Sequence, residues 1–162
     1  MAIEGDELWA LLHELDDPQH LEHPAGYDHA TTRALFDELV RGLDVAFDCA
    51  CNADRYVQDA SHHARVVVPA RATATGHSLV VTISNFGQLA TVSIDYPGTY
   101  NRLEFDALLD RRDADRLDAL LGGLGYRIVS EEPLWTRYNG PSPIDDGSDL
   151  GVTWWTRFFD YL

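Results

Sequence analysis

The hydrophobic period changes once along this chain, from 3.6 residues to two, and that change restricts the fold more than any other feature. Between Asp28 and Ala50 the residues Phe36, Leu39, Val40, Leu43, Phe47 and Ala50 recur at helical spacing, which predicts one long amphipathic helix with this stripe buried. From Ala64 onward the period is two. Arg65 to Val68 reads as a short strand stopped by Pro69. Leu79, Val81 and Ile83 alternate with Val80, Thr82 and Ser84, and Ala90, Val92, Ile94 and Tyr96 alternate with Thr91, Ser93 and Asp95. Asn85 and Gly87 tolerate positive φ, so a hairpin joining 78–84 to 89–96 is expected.

The flanking segments complete the pattern. Asp6 is a plausible N-cap for a first helix, whose Leu8, Leu11, Leu12 and Leu15 share one face until Pro18 interrupts it. A short helical turn is expected over Glu104–Leu109, and a firmer helix from about Asp113 with Leu117, Leu120, Leu121 and Leu124 on one side. Gly125 suits the left-handed position that closes it, and Tyr126 to Ser130 follows as a strand. The sum is an α+β fold: a largely antiparallel sheet of about four to six strands, with two N-terminal helices and one later helix packed on it. A chain of 162 residues is read as one domain, with an acidic helical third (1–50) and an aromatic-rich tail (152–162).

Charge is distributed unevenly. The first 48 residues hold twelve acids against two Arg, for −10, whereas the other 114 hold fifteen acids and ten Arg, for −5. A field of that sign disfavours nucleic acid and anionic membrane and selects a cationic protein or ion. On the second helix Asp37, Arg41, Asp44 and Asp48 fall within about 60° of one another at 100° per residue. Arg41 can pair with Asp37, leaving Asp44 and Asp48 less compensated. With Glu7 and Glu14 of the first helix, Asp37, Asp44 and Asp48 are the candidate partner-binding carboxylates.

Other groupings offer chemistry more weakly. His20, His23 and His29 lie among Asp16, Asp17, Glu22 and Asp28, types that bind Zn²⁺, but in no closed ligand spacing. His62 and His63 are adjacent at a strand entry, where neighbours face opposite ways. Cys49 and Cys51, if helical, would point about 200° apart and are read as two small buried thiols. The alternative, half of a metal site, is disfavoured because such ligands usually have about two to four residues between them. Asp145, Asp146 and Asp149 surround Gly147 without the ligand spacing of a Ca²⁺ loop. No nucleophile elbow, phosphate-binding Gly-rich loop or dinucleotide fingerprint occurs, and no cofactor is expected.

The tail from Val152 to Leu162 carries five aromatics, whose β propensity favours a strand, although Trp154, Phe158 and Leu162 are also spaced for a helix. It is expected to complete the core or to form an interface, including a homodimer contact. Trp135-Thr136-Arg137-Tyr138 and Trp155-Thr156-Arg157-Phe158 are near copies twenty positions apart, which suggests two paired strands.

An acidic α+β domain with aromatic-rich ends resembles the immunity proteins of bacterial toxin systems. The resemblance implies a small, non-enzymatic bacterial protein that blocks a cationic toxin domain with its carboxylates. No signal peptide or membrane-spanning run is present at the N-terminus, so a cytoplasmic location is expected. The alternatives are a metal-dependent enzyme of unknown reaction using the His20/His23/His29 region, and a structural or oligomeric module joined through the tail.

Overall fold

Strands β3 (Leu79–Ser84) and β4 (Leu89–Ile94) are buried along their whole length, and the rest of the molecule is arranged around them. The computed structural model describes residues 1–57, 60–145, 147, 149 and 151–160. Helices α1 (Gly5–Leu15) and α2 (His29–Phe47) come first, followed by β1 (Asn52–Asp54), β2 (His62–Val68), β3 and β4. Then come α3 (Arg102–Leu108), α4 (Arg111–Gly123), β5 (Arg127–Ile128) and α5 (Trp154–Phe159). The sheet order is β1-β2-β3-β4-β5, an antiparallel meander to which β5 adds in parallel. The helical crossover through α4 allows the parallel pairing. Beyond β5 the chain's start extends the sheet, with Ile3 bridging Val129.

Alternation along β3 and β4 divides the interior in two. Leu79, Val81, Ile83, Ala90, Val92 and Ile94 meet the α2 stripe (Phe36, Leu39, Val40, Leu43, Phe47) and Leu117 and Leu121 of α4. A Cβ on Gly42 would lie 2.5 Å from Leu120, so glycine permits the close approach of α2 to α4. Thr82, Ser84, Thr91 and Ser93 point to the other face, where α5 packs on β3. There Leu8, Leu11 and Leu12 of α1 join Phe86, Leu89, Val129 and Leu134 with Trp154, Trp155, Phe158 and Phe159. The two acidic helices therefore belong to different halves of the core.

The α+β architecture agrees with the sequence; several boundaries do not. Helix α1 begins at Gly5 after an extended Glu4, so Asp6 lies in the first turn, where a carboxylate favours the helix dipole. Helix α2 stops at Phe47 because Asp48 takes the left-handed conformation (φ 49°), and Ala50 is left exposed outside it. Its start is secured by Asp28, whose side chain accepts from the Thr31 N–H at 3.2 Å. The hairpin turn places positive φ at Gly87 and Gln88; Asn85 instead donates its amide to the carbonyls of Glu22 and Ala60. Helix α3 starts earlier than expected, at a capping box of Asn101 and Glu104, and α4 starts at an Asp110 cap.

Trp154–Phe159 of the tail form a helix, not a strand; Leu162, the last residue of the expected helical spacing, lies outside the described residues. Thr153 and Thr156 form a capping box that nucleates α5, overriding the β propensity of its aromatics. The near-copy 135–138 begins at the end of a 3₁₀ turn (Glu132–Trp135), so the two copies do not pair as strands. They do meet: Trp135 stacks on Trp155 at 4.9 Å with rings 16° apart.

Candidate functional site

The acidic residues of the first third have three different fates. Glu7 and Glu14 are exposed on α1. Asp37 is half-buried and receives the Arg55 Nε–H at 2.8 Å, and this hydrogen bond holds its carboxyl below the usual carboxylate range. Asp44 accepts the Cys51 backbone N–H at 2.7 Å, and Asp48, exposed, forms the helix end. The five candidates thus do not share one face: two lie on α1 and three along α2, attached to opposite halves of the core.

Arginines from later segments reach three of the twelve front-third acids. Besides Arg55 on Asp37, Arg102 meets Glu4 at 2.6 Å and Arg157 meets Asp16 at 2.7 Å. Asp6, Glu7, Glu14, Glu22, Glu38 and Asp48 are exposed and pair with no Arg among the described residues. On α2, Glu38, Arg41, Val45 and Asp48 follow helical spacing along one solvent-facing ridge, with Val45 83% exposed at its centre.

The histidines converge differently from their spacing in sequence. His20 is drawn to Asp17, with Nδ1 2.7 Å from its carboxylate. His23 stacks on Tyr27, and the Tyr27 hydroxyl lies 3.2 Å from His63 Nδ1 and 3.5 Å from His29 Nδ1. With His62 and Asn85 they line a cleft of about 90 Å³. A register shift between His62 and Ala64 lets both adjacent histidines border it, against the expectation that they face apart. Burial, then the nearby His29 and Arg33, push His63 down to about 4, so its imidazole is neutral at pH 7. Burial also lowers His62. Among the described residues, no three ligating atoms of this region lie within 4.8 Å of one another.

The early end of α2 creates a grouping that the sequence reading missed. Because the chain turns at Asp48, Cys49 and Cys51 leave the helix and come together, Sγ to Sγ 3.7 Å. Their sulfurs and an Asp44 carboxylate oxygen all lie within 4.8 Å of each other, half-buried. Burial, then the neighbouring Asp44 and Cys49, push the Cys51 thiol well up. The available signal was Asp48, a residue type that tolerates left-handed backbone and so ends helices.

A second cleft of about 150 Å³ opens between α3, α4 and β5, walled mainly by Val92, Phe105, Leu109, Leu117 and Ile128. Arg102, Asp118, Glu131 and Glu132 also border it, and the Met1 amino group lies 3.1 Å from the Asp118 carboxylate.

The arrangement defines a class: an acidic α+β protein with a two-sided core and exposed carboxylates on both sides. Comparison with family models, with curated proteins and with solved structures gives no match.

Proposed function

We propose that this chain is a non-enzymatic binding protein for a cationic protein partner, and that its role is of the immunity type, neutralising a basic bacterial toxin domain. One observation supports the reading most: Asp6, Glu7, Glu14, Glu22, Glu38 and Asp48 are exposed and form no ion pair with an arginine among the described residues, in a chain of net charge −15. Charge of one sign raises association rates with an opposite partner by about 10 to 10³ at low salt. Internal hydrogen bonds, from Arg55 to Asp37 and from the Cys51 N–H to Asp44, narrow the docking set. Asp37 and Asp44 are committed within the fold, so Glu7 and Glu14 of α1, or Glu38 and Asp48 beside Val45, are the carboxylates offered to a partner. No helix among the described residues is long and apolar enough to cross a membrane.

The test begins by capturing the partner from native cells and measuring its association rate at several salt concentrations. A basic protein should be recovered, and its rate should fall as salt rises. Glu7→Gln/Glu14→Gln and Glu38→Gln/Asp48→Asn should each be assayed, and the variant on the docking side should slow association. A rate indifferent to salt and to both pairs rejects the reading. Protection of cells expressing the captured protein establishes the toxin-neutralising form of it.

A further inference from the structure

Helix α2 ends by placing two thiols and a carboxylate around one point. The Cys49 N–H bonds to the Asp44 carbonyl at 3.0 Å, and the Cys51 N–H to Asp44 Oδ1 at 2.7 Å, so the backbone and the side chain of Asp44 together fix the turn carrying both thiols. The second carboxylate oxygen of Asp44 has lone pairs left to coordinate. We propose that Asp44, Cys49 and Cys51 form an open, three-ligand site for a thiophilic divalent cation of the Zn²⁺ class.

The geometry favours that class specifically. Two thiolates about 2.3 Å from a tetrahedral ion are about 3.8 Å apart, close to the 3.7 Å seen here. A linear two-coordinate ion with bonds of similar length would hold them about 4.6 Å apart, which disfavours digonal Cu⁺. Hard ions such as Ca²⁺ and Mg²⁺ take six or more oxygens and find one carboxylate here. The negative end of the helix dipole lies at the same place, adding attraction for a cation. Three protein ligands leave a fourth position for water or a partner's side chain, as in sites that exchange ligands. The short Cys-x-Cys spacing suits this open arrangement, since closed structural sites use wider spacing and a fourth ligand.

Co²⁺ serves as the spectroscopic probe. The reduced, untagged full chain, kept under anaerobic conditions, should bind one equivalent, with thiolate-to-cobalt charge transfer in the near ultraviolet and intense tetrahedral bands in the visible. Zn²⁺ should then displace it. Cys49→Ser and Cys51→Ser should each lose charge-transfer intensity, and both they and Asp44→Asn should weaken binding by about tenfold or more. His23→Ala/His29→Ala should leave the spectrum unchanged. In the wild-type chain Zn²⁺ should also slow alkylation of both thiols by iodoacetamide, a readout independent of how the variants fold. Absence of the charge-transfer band, no protection of the thiols, or loss of binding only in the histidine variant would each overturn the site.

Discussion

Arg157 and Asp16, 141 positions apart in sequence, meet at 2.7 Å with both side chains completely buried. The guanidinium also donates to the carbonyls of Asp17, His20 and Leu21 and lies over the Phe86 ring at 4.6 Å. Asp16 in turn accepts from Tyr138 and Ser142. One side chain of α5 thereby fixes the whole connection leaving α1.

Removing one partner of such a pair leaves the other charge buried, a loss of about 3–5 kcal/mol. Arg157→Ala and Asp16→Asn are expected to fall in this range by urea unfolding. Arg157→Lys should recover little, because an ammonium cannot reproduce the fork of donors. Arg137, at the equivalent place in the near-copy, is exposed, so Arg137→Ala should change stability by less than about 0.5 kcal/mol. Equal effects at the two arginines would contradict the assignment.

The tail is part of the chain's own interior. Trp154, Trp155, Phe158 and Phe159 are all nearly inaccessible, and Ser61 anchors the end of α5 by bonding to the Asp160 backbone in both directions. Trp154→Ala should cost about 3–5 kcal/mol. Deleting residues 152–162 should abolish the near-ultraviolet circular dichroism of the fold, and a folded monomer lacking that segment would show the core forms without it.

Acid should destabilise the protein before its carboxylates protonate. His63 is pushed down to about 4 from an ordinary 6.5, so the folded state resists a proton that the unfolded chain accepts. Its contribution is complete above pH 6.5, declines as pH falls, and is exhausted near 4. His62 is shifted the same way, whereas Asp37, whose pKa is lowered, loses its contribution only below the usual carboxylate range. Around His63, His29, Arg33 and His62 oppose the proton and Asp37 favours it. The expected loss between pH 7 and 4.5 is on the order of 2 kcal/mol, read as a falling urea midpoint. His63→Gln should flatten that slope, and an unaltered slope would refute the role of His63.

What was legible in the sequence depended on local periodicity. The α2 stripe from Phe36 to Phe47 and the β3–β4 hairpin were readable because each repeats its apolar period several times. The end of α2 was not, since Ala50 continues the period and only the backbone of Asp48 breaks it. That error of one helical turn concealed the meeting of Cys49, Cys51 and Asp44. Arg157 with Asp16, and His63 with Tyr27, are long-range pairs that no local spacing encodes. Asp37, Asp44 and Asp48 share one side of the α2 helical wheel, but the wheel carries no information about which side of the sheet α2, or α1 with Glu7 and Glu14, covers. The switch from strand to helix in the tail turned on two threonines that form a cap, against the propensity of four aromatics.

The left-handed residue that ends α2 gives a direct check. A non-glycine residue at positive φ carries a steric cost, reduced but not removed for aspartate. Asp48→Gly should therefore stabilise the protein by about 0.5 kcal/mol, and Asp48→Val should destabilise it by more than about 1 kcal/mol. The same turn orients the two thiols, so Asp48→Val should also weaken Co²⁺ binding while Asp48→Gly preserves it.

Charge reversal separates folding from recognition. A chain at −15 repels itself, so one fewer negative site on an exposed helix face should stabilise the fold at low ionic strength. Glu14→Arg on α1 and Glu38→Arg on α2 are each expected to add a few tenths of a kcal/mol, an increment that disappears at about 1 M salt, where the Debye length is near 3 Å. If the same carboxylates receive a cationic partner, the variant on the docking side should associate more slowly despite being more stable. Opposite signs in the two measurements would mean that the exposed negative charge is kept for binding at a cost to stability. A variant that gains stability and loses no association speed would identify its carboxylate as solvating surface alone.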